Sequence, residues 1–106
     1  MAKYLLNATY TVEGTKGVMK GGGSARRAAV QKTVEGLGGR LESFYFTLGE
    51  SDVIAIVDVP DVVTITAMSL AINAAGGAHV STTVLLTPEQ IDEAAKKSVS
   101  YRAPGA

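Results

Sequence analysis

Arg40-Leu41-Glu42-Ser43-Phe44-Tyr45-Phe46-Thr47-Leu48 and Asp52-Val53-Ile54-Ala55-Ile56-Val57-Asp58-Val59-Pro60 are two apolar runs joined by the short turn Gly49-Glu50-Ser51-Asp52. Runs rich in β-branched and aromatic residues, separated by a turn containing glycine, read as a β-hairpin. Helix-patterned segments lie on both sides of it, so the hairpin sits in the middle of an α+β chain. It sets the architecture and names no chemistry.

Upstream, Val30, Val34 and Leu37 recur at helical spacing, Ser24 suits an N-cap and Gly38-Gly39 a stop. Gly14, Gly17 and Gly21-Gly22-Gly23 break any pattern before that helix and predict a loose connection, with at most a short helical turn over 16–20. Tyr4 to Thr11 reads as the first strand. Downstream, Asp61 is a good N-cap for a helix from Val62 to about Ala75, stopped by Gly76-Gly77, and His79 to Leu86 is the fourth strand. Thr87-Pro88-Glu89-Gln90 has the form of a capping box with proline in the first turn. The last helix is expected to reach about Val99, with Asp92–Lys96 and Glu93–Lys97 pairs on its wet face. The order is βαββαβ plus a C-terminal helix, the split βαβ or ferredoxin-like arrangement. Right-handed crossovers give a four-stranded antiparallel sheet ordered 4-1-3-2, with both main helices on one face. A single domain over 1–99 and a short tail over 100–106 are expected at this length.

Ten basic and ten acidic residues among 106 give a formal net charge of zero, which provides no field to gather nucleic acid or an anionic membrane. No cysteine is present and only one histidine, so disulfides, thiolate chemistry and a dedicated transition-metal site are not expected, nor is a cofactor. The start Met1-Ala2-Lys3-Tyr4-Leu5-Leu6 does not read as a signal peptide, and the longest near-uncharged stretch, Val62 to Ala78, is shorter than the roughly 20 apolar residues that span a bilayer. A soluble, cytoplasmic protein is expected.

Two helices cover only one side of such a sheet, so the other side decides what the protein meets. Phe44, Phe46 and Leu48, Val80 and Val84, Leu6 and Ala8 alternate with polar residues and are expected under the helices. That leaves Leu5, Asn7 and Thr9, Ser43, Tyr45 and Thr47, and His79, Ser81 and Thr83 on the open face. The third strand is apolar on both faces, as in a strand buried on both sides. The helix after Asp61 carries no charge and is apolar around most of its circumference. A chain this small cannot bury all of that surface alone, so a homo-oligomer, dimeric or higher, is expected.

The order Tyr10-Thr11, Arg26-Arg27-Ala28, Gly38-Gly39, Phe44-Tyr45, Gly49-x-x-Asp52, Pro60-Asp61 and Val80-x-Thr82-Thr83 resembles the GYD-domain family of small bacterial proteins, over roughly Tyr4 to Ser98. The resemblance implies a ferredoxin-like domain of the dimeric α+β barrel type, two sheets packing open face to open face, and no established reaction. Ser51 stands where the signature's tyrosine is expected, so no role of that ring carries over.

Four groups of candidate residues emerge. Gly49 and Asp52 suit a tight turn, glycine through a positive φ and aspartate by accepting backbone N–H groups. Ser24, Arg26 and Arg27 follow a glycine run at a helix start, where free N–H groups can hold an anion. Asn7, Tyr45, His79 and Thr83 are the expected ligand-binding set on the open face. His79, whose unperturbed pKa lies near neutrality, and Tyr45 are the candidates for proton transfer. These two fall on opposite edges, about 14 Å apart, so one chain does not make them a dyad. The leading expectation is an oligomeric small-molecule-binding or assembly protein, and the alternative is a cofactor-independent enzyme acting on a small organic substrate. No nucleic-acid or membrane partner is expected.

Overall fold

In the computed structural model, which covers residues 1–106, the elements follow in the order β1 (Ala2–Tyr10), α1 (Val12–Gly21), α2 (Gly23–Gly36), β2 (Arg40–Phe46), β3 (Val53–Val59), α3 (Val62–Ala75), β4 (Ala78–Leu85) and α4 (Pro88–Ala95). The four strands form one antiparallel sheet ordered β2-β3-β1-β4, the expected order read from the other edge and consistent with a ferredoxin-like fold. The register resolves the third strand. Val53, Ala55, Val57 and Val59 are buried beneath the helices, while Ile54 and Ile56 face the other way and are half-buried. Around them Tyr4, Leu6, Val34, Ile65 and Met68 complete the core.

Local chemistry explains the helix bounds. The Asp61 carboxylate accepts the backbone N–H of Thr64 at 2.9 Å and its hydroxyl at 2.8 Å, which holds that carboxyl below its usual value and starts α3. Thr87 and Gln90 form the expected capping box of α4.

Five expectations are corrected. The glycine-broken connection is the helix α1, capped by Thr11, whose hydroxyl oxygen accepts the N–H of Gly14 at 3.1 Å, with Glu13 in its first turn and Lys20 in its last. Gly14, which reads as a breaker, is a close contact instead: a Cβ there would lie 1.8 Å from the carbonyl oxygen of Gly77, and Thr11 N–H donates to that same oxygen at 3.1 Å. Ser24 is not the N-cap of α2. The helix starts two residues earlier, after Gly22, whose φ of 88° makes the sharp corner between α1 and α2. Gly49 does not adopt a positive φ, and Asp52 works across the sheet rather than within its turn, its Oδ2 accepting the N–H of Tyr10 at 2.8 Å. β2 stops at Phe46, so Leu48 lies past the strand, fully exposed, and not under the helices. α4 ends at Ala95, and neither Asp92–Lys96 nor Glu93–Lys97 forms, because both lysines lie beyond the last helical turn; the chain's ion pairs involve other residues.

Every residue from Leu86 to Ala106 is exposed, and this segment extends the molecule to 57 Å in its longest dimension. The radius of gyration is 17.0 Å, against about 13 Å for a compact chain of this length. No helix is long and apolar enough to cross a membrane.

Two glycines of α1 should respond in opposite directions to the same substitution. Gly14→Ala must push α1 away from Gly77 and is expected to lower stability by about 2 kcal/mol. Gly17→Ala meets open space and should raise it by up to about 1 kcal/mol through the ordinary alanine preference of a helix. Urea denaturation midpoints of the two variants against the parent measure both signs.

Candidate ligand-binding face

The strand pairings assign the face that the helices leave uncovered. Reading across β2-β3-β1-β4, one row is Ser43, Ile56, Leu5 and Thr83, and the next is Tyr45, Ile54, Asn7 and Ser81. His79 pairs with Thr9 one row further on. Leu5, Ile54 and Ile56 therefore form a half-buried aliphatic centre with hydroxyl and amide groups around it.

At one end of the face Asn7, Thr9, Ser51, His79 and Ser81 line a hollow of about 270 Å³. Ser51 and Asn7 approach to 3.4 Å across it. Of the expected ligand set, Asn7 and His79 are brought together here. Tyr45 and Thr83 are not: Tyr45 lies on edge strand β2, 70% exposed, and Thr83 lies beside Leu5. β3 and β1 separate Tyr45 from His79, the geometry that the sheet order predicts. The hollow offers hydroxyls, an amide and an imidazole, a set suited to hydrogen-bonding a small polar group.

At the opposite end lies a charge network absent from the sequence-based candidates. Lys3 Nζ donates to Glu42 Oε1 at 2.6 Å and to Asp58 Oδ1 at 3.0 Å, and Arg40 Nη2 donates to Asp58 Oδ2 at 3.0 Å. Glu42 reaches this face because a β-bulge between Leu41 and Ser43 puts one extra residue into β2 opposite β3. The signal for Asp58 was present, as the single charge in an otherwise apolar strand. The bulge that assembles its partners leaves no such mark in the sequence.

Burial opposes ionisation of Asp58, but the hydrogen bonds from Lys3 and Arg40 outweigh it and hold the carboxyl below the ordinary aspartate value. The bonds to Glu42 and Asp58 raise Lys3. Both groups stay charged across the neutral range, so the network is a closed set of two cations and two anions and not a proton-transfer site. No grouping of His, Asp and Glu side chains suited to a metal ion is present.

The proposed anion set is divided. Ser24 and Arg27 border a shallow hollow beside Phe44 and Phe46, whereas Arg26 lines the cavities between the helices. The glycine run is a helix corner, so it offers no open loop of N–H groups.

A family model of the GYD domain matches residues 4–95. No curated protein and no solved structure matches the chain.

The Asp58 network should show itself on the acid limb. A carboxyl whose folded pKa lies below its unfolded value of about 3.8 stabilises the protein above that pH, and the contribution is lost as the pH falls through the folded value. Asp58→Asn is therefore expected to melt below the parent at neutral pH, by the equivalent of about 2 kcal/mol, with the gap closing in acid. Glu42→Gln, whose carboxylate is a third exposed, should cost less. Thermal melts of the three proteins across the acid range give the comparison.

Proposed function

The chain belongs to the GYD domain family, and on that premise we propose that it works as a homo-oligomer whose uncovered sheet faces pair, as in dimeric α+β barrels, binding a small organic molecule or serving in assembly through that face. The observation that carries this reading is the aliphatic centre of Leu5, Ile54 and Ile56, left half-exposed in the single chain.

Charge supports it as well. A pairing face must not carry unpaired ions, and Lys3, Arg40, Glu42 and Asp58 neutralise one another before any partner arrives. Two such faces can approach without desolvating a free charge. The polar hollow at Asn7, Ser51 and His79 would then lie at the border of the buried region, where a small ligand gains both hydrogen bonds and exclusion from water. The enzymatic alternative assigns proton transfer to His79 or Tyr45, which β3 and β1 hold apart within one chain. A cytoplasmic setting fits a chain without cysteine.

Analytical ultracentrifugation tests the pairing. The parent should sediment as a dimer or larger species at micromolar concentration, and Ile56→Arg, which plants an unpaired cation in the aliphatic centre, should sediment as a folded monomer. Leu70→Glu on the outer side of α3, where Leu70 is 66% exposed, should leave the assembly intact. A parent that stays monomeric, or an assembly broken by Leu70→Glu and not by Ile56→Arg, would remove the proposal.

A further inference from the structure

Between α1, α2 and α3, on the helix-covered side of the sheet, lies an open cleft of about 600 Å³ with a small inner chamber of about 40 Å³ against the sheet. Its walls are held apart by small residues, Gly14 and Gly17 on α1 and Ala67, Ala71 and Ala75 on α3. Nine of the fourteen lining residues are hydrophobic and none is acidic, so the cavity suits a mainly hydrocarbon occupant.

One group does not fit an empty apolar cavity. Arg26 lines both chambers, and its Nε is shielded from solvent with no hydrogen-bond partner. Its guanidinium has no counter-ion either, because all four ion-pair contacts of the chain lie on the opposite face of the sheet. A buried donor left unmade costs free energy that a folded chain ordinarily avoids. The first turn of a helix is also a poor place for a cation. An arginine held there at both costs is accounted for if something outside the chain completes it.

We propose that this chamber binds a small amphipathic monocarboxylate, with its hydrocarbon body between α1 and α3 and its head group on the Arg26 guanidinium. The planar fork of arginine matches a carboxylate through two parallel hydrogen bonds. A single cation in an apolar setting balances one negative charge, which favours a carboxylate over a phosphate dianion. The site is separate from the sheet pairing proposed above and lies on the other side of the sheet, so either can fail without the other.

Octanoate, its neutral isostere octanamide and inorganic phosphate are suitable probes on the intact protein, by calorimetry and by the methyl signals of its three methionines. Met68 is buried and borders both chambers, whereas Met1 and Met19 are exposed. Octanoate should bind saturably and shift the Met68 methyl signal while leaving that of Met1 in place. Octanamide should bind at least about tenfold more weakly, the factor produced by one lost charge-assisted hydrogen bond. Arg26→Leu, which removes the orphan donor, should keep the thermal stability of the parent and lose octanoate affinity by a similar factor. Equal binding of octanoate and octanamide, octanoate affinity unchanged in a folded Arg26→Leu variant, a Met68 signal that does not move, or competition by phosphate alone would each overturn the proposal. If Arg26→Leu unfolds, the comparison of octanoate with octanamide on the parent decides the matter.

Discussion

β3 is pinned between β1 and β2, and its alternating side chains cannot all be buried by one layer of helices. Val53, Ala55, Val57 and Val59 are each no more than 3% exposed beneath the helices, so Ile54 and Ile56 are committed to the other face. A slip of one residue would exchange the two sets and put Asp58 into the core, which makes the register strongly specified. From that register follow the position of Leu5 between Ile56 and Thr83, the polar hollow one row beyond Ile54, and the placing of Asp58 where Lys3 and Arg40 both reach it.

The two sides of the sheet treat charge in opposite ways. On the uncovered side four ionised groups satisfy one another, and the least exposed of them, Asp58, has cations on both sides. On the helix side a single cation stands without an anion beside an apolar cavity. The first arrangement is closed, which is what the proposed covering of that face would require. The second is open. Neutrality of the whole chain therefore conceals a local imbalance, and net charge bears on bulk partners such as nucleic acid more than on individual sites.

Much of this architecture was legible because local chemistry and tertiary structure agree. Asp61 and Gly76 bracket α3 as caps, Thr87 and Gln90 start α4, and alternation in β1 and β4 assigned Asn7, Thr9, His79 and Ser81 to the open face. Legibility failed where a tertiary contact overrides a local preference. Glycines 14 and 17 argue against a helix on propensity alone, yet α1 needs the first of them to reach the Gly77 carbonyl. The bulge at Glu42 changes the facing of one residue without changing composition, so no periodic pattern could place that carboxylate beside Lys3. The parting of Arg26 from Arg27 depends on the direction in which α2 leaves the Gly22 corner, which only the packed helices determine.

The same geometry separates the ways in which copies of this chain could meet. Edge strand β2 carries Arg40, Glu42 and a bulge, devices that discourage the addition of another strand. Edge strand β4, Ala-His-Val-Ser-Thr-Thr-Val-Leu, has no acid or lysine to repel a neighbour. Pairing along β4 would satisfy its outer backbone groups, but it would leave Leu5, Ile54 and Ile56 in water, since those residues belong to the central strands. Packing on the outer side of α3 would cover Val63 and Leu70 and again leave the sheet bare. Of these arrangements, the proposed apposition of the sheets is the one that would cover the central strands' apolar residues while asking no unpaired ion to give up its hydration.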